Sequence, residues 1–403
     1  MASHSPTQQH AAKPSGRQPG RHFLHIPGPT NVPDRVLRAI DNAILDQRGP
    51  AFGKFSLALQ EKVRRVFKTS QPVIMFPSSG SGAWEAALVN TLSPGDAVLM
   101  CRVGWFATLW YEMAKRLGLE PILIETDWRR GTDVEAIAEH LRKDTAHRIK
   151  AVCVVHNETS TGVTSRVDEV RAAIDGAGHP ALLMVDTISS LGSIDYRHDE
   201  WKVDVCIGGS QKGLMLPAGL SFTAISAKAL AAQKTAKLPR AYWDWQAMLD
   251  NNATGYFPYT PATNLFYGLD VAIDMLEEEG LDNVFARHDR HAEATRRAVR
   301  AWGLETQCAE PRHYSSTVTA VRVPDGHSAD ALRASILERS NMSLGNGLGP
   351  LKDKVFRIGH LGDLGDLQMI GVLGGVEIGL RHCGIPHKPG GVQAAVDFLA
   401  GNA

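Results

Sequence analysis

The residue of this chain with the clearest chemical potential is Lys212, in the segment Val203–Pro217 (VDVCIGGSQKGLMLP). Its first six residues are mostly apolar and predict a short buried strand. Several glycines then surround the lysine with backbone that allows unusual dihedral angles and a close approach to a ligand. A lysine that leaves a strand in such a loop can project into a cleft and form a Schiff base with a carbonyl compound. Taken alone, the segment is also typical of an exposed lysine in a glycine-rich turn.

Two further features could complete such a site. Asp186 follows the apolar run Ala181–Val185, and one predicted strand separates it from Lys212. The segment PSSGSG, residues 77–82, lies between a short apolar run and the helix-like AWEAALVNTL. Strand, Gly/Ser turn and helix is the arrangement that directs backbone N–H groups at a phosphate. It fits neither GxxxxGK[ST] nor a full GxGxxG, so neither a P-loop nor a dinucleotide fingerprint is supported.

A lysine, a carboxylate at a strand end and a phosphate-binding turn are the parts that pyridoxal 5'-phosphate (PLP) needs. The lysine forms the Schiff base, and the carboxylate keeps the pyridine nitrogen protonated so that the ring accepts electrons. Backbone amides and a helix N-terminus hold the phosphate. The sequence therefore predicts a PLP site around Lys212 and Asp186, with no metal in it. Judged singly, Asp186 is also compatible with a helix cap or a surface acid.

The elements that must position these residues alternate along the chain between β-branched runs and helix-like segments. The predicted strands are Val73–Phe76, Ala97–Cys101, Pro121–Glu125, Ile149–Val155, Ala181–Val185, Val203–Gly208 and Leu220–Ile225. This pattern predicts an α/β fold whose mainly parallel sheet is covered by helices on both faces. Ligands of such sheets gather at the carboxyl ends of the strands. The polar segments that follow the strands are Ser79–Gly82, His156–Thr161, Asp186 and Ser210–Lys212.

The chain divides into three predicted parts. Residues 1–21 are rich in Ser, His, Gln, Pro and Gly and predict a disordered arm. Residues 22–282 form a large cofactor-binding domain. A second αβ pattern from Ser316 onward predicts a smaller C-terminal α+β domain, residues 283–403.

Composition narrows the functional class. Lys and Arg together number 43, as do Asp and Glu, so no attraction to nucleic acid or to an anionic membrane is expected. No apolar run approaches the ~20 residues of a membrane span. The five cysteines are scattered, which favours reduced thiols and a cytoplasmic location. No acidic residue precedes Asp34, so import into an organelle through the N-terminal arm stays open.

Seven stretches occur in a fixed order between residues 27 and 363: PGPTNVPDRV, FPSSGSGAWEAAL, VVHNETSTGV, ALLMVDTISSLGS, GGSQKGLMLPAGL, GYFPYTP and VFRIGHLGD. With them the chain resembles the class V aminotransferases of PLP fold-type I, in particular the serine–glyoxylate and alanine–glyoxylate enzymes. The resemblance implies a seven-stranded sheet in the large domain and a ping-pong transamination of glyoxylate to glycine. It favours L-serine as the donor, which gives hydroxypyruvate.

The resemblance also implies roles for individual residues. Lys212 is the Schiff-base lysine and moves the proton between Cα and the cofactor, and Asp186 pairs with the pyridine nitrogen. Trp105 stacks on the ring, and Thr159 binds near the ring hydroxyl. The phosphate is held by Ser81, Gly82, Ala83, Gln211 and, from the neighbouring subunit of a homodimer or higher oligomer, Thr260. The substrate is bound through its α-carboxylate by Arg357 and lies against a wall that contains Pro27, Gly28 and Asn31.

Several alternatives remain open at this point. Alanine–glyoxylate, aspartate–glyoxylate and 2-aminoethylphosphonate transamination all suit the same fold. Cysteine desulfurase chemistry would need a mobile cysteine, for which Cys383 is the one loop-like candidate, and a nonenzymatic binding protein would lack a cofactor band. Two positions depart from the family pattern: Phe257 replaces a tyrosine, and Thr187 follows Asp186 where Gly or Ser is expected. We expect Thr187 to alter the shape of the substrate pocket.

Overall fold

The structure, a computed structural model, describes residues 20–401. The predicted disordered arm therefore lies outside the described residues except for its last two positions. The helices are α1 (Asp34–Ile40), α2 (Pro50–Phe67), α3 (Gly80–Thr91), α4 (Trp105–Arg116), α5 (Val134–Lys143), α6 (Val167–Gly176), α7 (Ala227–Gln233), α8 (Trp245–Asn252), α9 (Thr263–Glu279), α10 (Leu281–Ala301), α11 (Ala329–Ser340), α12 (Asp366–His382) and α13 (Gly391–Gly401).

The strands are β1 (Phe23–His25), β2 (Val73–Phe76), β3 (Ala97–Arg102), β4 (Glu120–Glu125), β5 (Ile149–Val155), β6 (Asn157–Glu158), β7 (Val163–Thr164), β8 (Leu182–Asp186), β9 (Val205–Gly209), β10 (Ser221–Ile225), β11 (Glu305–Thr306), β12 (Val318–Arg322), β13 (Met342–Asn346) and β14 (Val355–Gly359). Two 3-10 turns, Pro311–His313 and Gly349–Leu351, complete the regular structure of residues 20–401.

The larger sheet has seven strands in the order β2-β10-β9-β8-β5-β3-β4. Only β10 runs against its neighbours, β2 and β9; the other pairs are parallel. The apolar runs of β2, β8, β9 and β10 are buried along their whole length, because helices cover both faces of the sheet. The predicted α/β fold with a mainly parallel sheet is confirmed.

A second sheet has five strands in the order β1-β13-β14-β12-β11. Four of these strands come from the C-terminal part of the chain, and β1 comes from its beginning. β1 pairs in parallel with β13, Phe23 opposite Met342. By this pairing residues 23–25 join the second sheet, although the predicted boundary assigns them to the large domain.

Two apolar cores accompany the two sheets. One contains buried side chains from Val36 to Val284, and the other contains buried side chains from Ala294 to Leu399. Helix α10 contributes to both, since Val284 lies in the first core and Ala294 in the second. Within residues 20–401 no helix combines the length and apolarity needed to cross a bilayer.

Candidate active site

A cavity of about 220 Å³ opens where β2, β5, β8 and β9 end. These four strands run in one direction, so their carboxyl ends meet at one edge of the sheet. The cavity is lined by Ser79, Gly80, Ser81, Trp84, Phe106, Val155, Asn157, Thr159, Asp186, Ile188, Ser189, Gln211 and Lys212. The predicted lysine, aspartate and phosphate-binding turn are thereby brought together.

Lys212 is buried, with 8% of its surface exposed, and its Nζ donates to the backbone oxygen of Pro27 at 2.5 Å. Burial and, to a smaller extent, the positive charge of Arg357 lower the pKa of Lys212 to about 8, although Asp186 acts in the opposite direction. A lysine with this pKa is partly neutral near pH 7.5 and can act as a nucleophile or a base.

Asp186 is the last residue of β8 and is also buried. Its Oδ1 accepts from the backbone N–H of Ile188 at 2.7 Å, and its Oδ2 accepts from Trp84 Nε1 at 3.0 Å. Burial raises the pKa of Asp186 to about 7, against the effect of these two hydrogen bonds. A cationic partner placed beside this carboxylate would stabilise its ionised form.

The N-terminus of α3 faces the cavity through residues 79–81. Ser79 is the N-cap and its side chain makes no capping hydrogen bond, so the first amides of the helix can serve an anion. The predicted phosphate contacts Ser81, Gly82 and Ala83 all lie in the first turn of this helix, and their role stays a prediction. Ser81 lines the cavity, but the N–H of Gly82 donates to Ser79 O, and Ala83 is buried within the helix.

Phe106, the residue that follows the predicted Trp105, lines the cavity together with Trp84. The Trp105 ring packs against Gly349 and the small cluster of Trp128, Leu351 and Val355. Both residues stand in the first turn of α4, and consecutive helical side chains point about 100° apart. The stacking of Trp105 on the cofactor ring stays a prediction.

Glu158, within the predicted polar segment His156–Thr161, fixes the start of α4. It is fully buried, and its carboxylate accepts from the N–H groups of Phe106 and Ala107 and from both N–H and Oγ of Ser160. Burial raises the pKa of Glu158, but every donor around it favours the charged form. The carboxylate also suits the positive end of the α4 dipole.

Arg357 lies on β14, at the entrance from the second sheet. Its guanidinium is buried and donates from Nε to Asn346 O at 2.7 Å and from Nη1 to Thr159 O at 3.0 Å. Its Nη2 has no partner among the residues that the structure describes. Burial lowers the pKa of Arg357 to about 10, so the group remains a cation at neutral pH. It is placed to bind an anionic group near Lys212.

Thr159 lines the cavity and donates its hydroxyl to Ser189 Oγ at 2.7 Å. Ser189 in turn donates to Asn157 O, and the Asn157 side-chain amide donates to Thr317 Oγ1 at 2.9 Å. This network connects the cavity to the residue just before β12. It was visible in the sequence only as polar residues within HNETSTG and VDTISS.

The wall segment 27–31 divides between two environments. Pro27 and Gly28 contact Lys212: a side chain on Gly28 would overlap the lysine, and Gly28 has φ +92°. Thr30 donates its N–H to Gln211 O. Asn31 is exposed instead, donates to Leu24 O and lines a separate surface groove, and its place in the substrate pocket stays a prediction.

The two remaining predicted phosphate contacts, Gln211 and Thr260, lie in different places. Gln211 lines the cavity, and its buried Oε1 has no partner within residues 20–401, so this amide is available to a ligand. Thr260 is exposed and does not line the cavity of its own chain.

Comparison with known proteins decides the family. Residues 22–349 match the family described as Aminotransferase class-V. The chain belongs to the class V aminotransferases. The serine–glyoxylate aminotransferase of Methylorubrum extorquens is 50% identical over 96% of this chain and 98% of its own length. The L-aspartate–glyoxylate aminotransferase of Paracoccus denitrificans is 46% identical over 92% of this chain and 94% of its own length.

Comparison with a solved structure supports the same family through the fold. The pyridoxamine–pyruvate aminotransferase from Mesorhizobium loti superimposes with a TM-score of 0.89 at 29% identity, covering 98% of this chain and 99% of that one. The resemblance predicted from the sequence motifs, and the fold-type I architecture that it implied, are confirmed.

The two departures from the pattern of this aminotransferase family have structural explanations. Phe257 is partly buried and packs against Phe52 and Phe266 at the first core. Thr187 donates to Ile207 O at 3.0 Å and does not line the cavity. The expected effect of Thr187 on pocket shape is therefore corrected: Ile188, the next residue, contributes the side chain at this place.

Proposed function

We propose that this class V aminotransferase transfers the amino group of L-serine to glyoxylate, giving hydroxypyruvate and glycine, with PLP as its cofactor. The observation that carries the proposal is the convergence of Lys212, Asp186 and the N-terminus of α3 in one cavity. The identity of 50% with a serine–glyoxylate aminotransferase favours serine as the donor.

The residues of the cavity fit PLP. The buried carboxylate of Asp186, with a pKa raised to about 7 by burial, lacks a cationic partner that a protonated pyridine nitrogen would supply. The amides in the first turn of α3, including the predicted Ser81, Gly82 and Ala83, and the side-chain NH₂ group of Gln211 would hold the phosphate. When bound, PLP withdraws electrons from the substrate Cα and carries the amino group between the two substrates.

Lys212 supplies two functions to this reaction. Its neutral amine would hold the cofactor through the aldehyde group, and the same amine would take the proton from the substrate Cα. The lowered pKa of about 8 makes the neutral form accessible at neutral pH, so the residue can serve as a base. Gly28 leaves the space in which this side chain can move.

Arg357 orients both substrates. Serine and glyoxylate share one group, a carboxylate, and a guanidinium binds a carboxylate through two parallel hydrogen bonds. Since two backbone oxygens already fix the Arg357 plane, little rotational freedom is lost on binding. The amino group of the substrate then lies toward Lys212.

The donor is tested by half-reactions. PLP-loaded protein is mixed separately with serine, alanine, glycine and aspartate without an acceptor, and loss of the visible absorbance of the loaded protein is followed. We expect serine to bleach the band fastest and added glyoxylate to restore it. Lys212→Ala should show neither the band nor turnover. If aspartate alone bleaches the band, the serine proposal is wrong.

Aspartate is the second candidate donor, because a 46% identical relative is an L-aspartate–glyoxylate aminotransferase. A donor with a second carboxylate needs a second cationic group. Among the residues that line the cavity, Lys212 is the only Lys or Arg side chain, and Arg357 stands at its entrance. This favours serine over aspartate.

The proposal includes a homodimer. Thr260 would reach the cofactor phosphate of the neighbouring subunit, which agrees with its exposure and its absence from its own cavity. The aromatic pair next to it, Tyr242 and Tyr259, is also partly exposed, and its rings stack with centroids 4.7 Å apart. Such a surface suits burial in an interface.

A further inference from the structure

Trp84 connects α3 to the carboxylate of Asp186. It is 2% exposed, lines the cavity, and its indole Nε1 donates to Asp186 Oδ2 at 3.0 Å. The other carboxylate oxygen accepts from the N–H of Ile188. Within the described residues these are the two hydrogen-bond donors to the Asp186 carboxylate, and only one of them is a side chain.

A second tryptophan provides a natural comparison. Trp110 on α4 stacks on Trp84 with ring centroids 5.8 Å apart and an interplanar angle of 13°. Both rings are almost fully buried. Trp110 Nε1, however, has no hydrogen-bond partner in the part of the chain that the structure describes. The two indoles thus share one packing environment and differ in a single hydrogen bond.

We propose that Trp84 is a positioning residue of the cofactor site, whose indole N–H keeps Asp186 ionised and fixes the direction in which its carboxylate points. This inference rests on the proposed function, since Asp186 acts on the cofactor only if PLP is bound. A donor to an ionised carboxylate favours the charged form and lowers its pKa. Trp84 therefore offsets part of the cost of burying this charge.

The other groups that act on Asp186 come from two neighbouring elements. Glu158 on β6 disfavours its ionised form, and Lys212 after β9 favours it. The thiol of Cys206 on β9 is neutral, because burial raises its pKa to about 12. With a pKa of about 7, Asp186 changes charge in the range where the loss of one donor is measurable.

The experiment measures the affinity of cofactor-free protein for PLP between pH 5.5 and 9 in the wild type, Trp84→Phe and Trp110→Phe. Ionised Asp186 binds the protonated pyridine nitrogen, so affinity should fall as Asp186 takes up a proton below its pKa. Loss of the Trp84 donor raises that pKa, so the break in the profile should move up by roughly one pH unit. Between the two breaks, Trp84→Phe should bind PLP up to about tenfold more weakly.

Trp110→Phe is the matched control, because it removes the same ring atoms from the same stack without removing a hydrogen bond. Its break should stay where the wild type has it. Titrations of PLP itself are common to all three proteins and cancel in the comparison. Equal profiles for the two variants, or a break that shifts by the same amount in both, would overturn the inference. A folded wild type that does not bind PLP at any pH would instead overturn the proposed function.

A second measurement observes the hydrogen bond of Trp84 directly, in the wild-type protein. Wild-type protein labelled with ¹⁵N at the indole nitrogens should contain one indole resonance that titrates with the Asp186 carboxylate. Asp186→Asn should abolish that titration and leave the other tryptophan resonances in place. When Asp186→Asn is already present, Trp84→Phe should change PLP affinity no more than Trp110→Phe does. Failure of both expectations would show that Trp84 serves packing alone.

Discussion

The amine of Lys212 is enclosed on several sides at once. The side chain passes Gly28, donates to the Pro27 carbonyl and lies near the buried guanidinium of Arg357. A positive charge on Lys212 is poorly solvated in this position. Its repulsion by Arg357 is not fully offset by its attraction to Asp186. The same burial that prepares the lysine as a base therefore costs the protein stability.

We expect Lys212→Met to stabilise the cofactor-free protein at pH 7 by roughly 1–3 kcal/mol in chemical denaturation. The folded-state pKa of about 8 lies below the ordinary value of 10.5, so the protonated form is disfavoured in the folded protein. This penalty is fully present below pH 8, declines as the pH rises toward 10.5 and is absent above it. The gain should accordingly shrink between pH 8 and pH 10.

Lys62→Met provides the contrasting control. Lys62 lies between Asp270 and Asp274, at 2.5 and 2.7 Å, and its pKa is raised by these partners against the effect of burial. Its loss should destabilise the protein or leave it unchanged. A Lys212→Met protein that is less stable than the wild type at pH 7 would contradict the interpretation of Lys212.

At the scale of elements, the start of α4 determines which ring faces the cavity. Glu158 accepts hydrogen bonds from Phe106 and Ala107, the second and third residues of the helix, and Ser160 Oγ accepts from Trp105. These contacts fix the rotation of α4 about its axis. Phe106 is thereby turned into the cavity and Trp105 toward Gly349.

We expect Glu158→Gln to loosen this end of the helix. The replacement has the same size, but its NH₂ group cannot accept from Ala107 N–H, and it carries no charge to offset the helix dipole. The free energy of unfolding should fall by about 1–3 kcal/mol. PLP affinity, measured by equilibrium titration, should fall several-fold because the start of α4 is no longer held beside the cavity.

The control for this substitution is Glu139→Gln, which removes a carboxylate exposed on α5 and paired only with Lys143. Exposed pairs of this kind contribute little, so both readouts should stay close to the wild type. The role of Glu158 would be contradicted by a Glu158→Gln protein with unchanged PLP affinity.

At the scale of the whole molecule, the two cores meet at the cavity. Arg357, from the second sheet, donates to Thr159 O, and Asn157, from the cavity, donates to Thr317 before β12. Strand β1 adds a third connection, since it pairs with β13 and leads directly into the wall at Pro27 and Gly28. The residues proposed to hold cofactor and substrate therefore come from both sheets.

The proposed dimer predicts complementation between two defective chains. Thr260→Ala alone should weaken PLP binding by about tenfold, through loss of one hydrogen bond to a charged phosphate. Lys212→Ala alone should be inactive. In a mixed dimer of the two, one site combines both defects, while the other has Lys212 from one chain and Thr260 from its partner.

Co-expression with two different affinity tags allows the mixed dimer to be purified. It should bind PLP with wild-type affinity at one site per dimer and show about half of the wild-type activity. A mixed dimer that binds PLP no better than Thr260→Ala alone would contradict a shared site. A wild-type protein that is monomeric by light scattering would contradict the dimer itself.

The chemistry of the site and the strands that carry its residues could be predicted from the sequence alone. Lys212 and Asp186 could be predicted because each follows a short apolar run, and parallel strands bring their carboxyl ends together. The family motifs extended this to Thr159, Gln211 and Arg357. Such inferences need only residue type and the position of a strand end, both of which are local properties of the chain.

Which of two adjacent residues faces the site could be seen only in the tertiary structure. A change of one position in a helix turns a side chain by about 100°. Phe106 therefore lines the cavity, while the ring of Trp105 packs against Gly349. Trp84 and Glu158 act through contacts 102 and 51 residues away, with Asp186 and Ala107. No local pattern marks such contacts, because they exist only once the chain has folded.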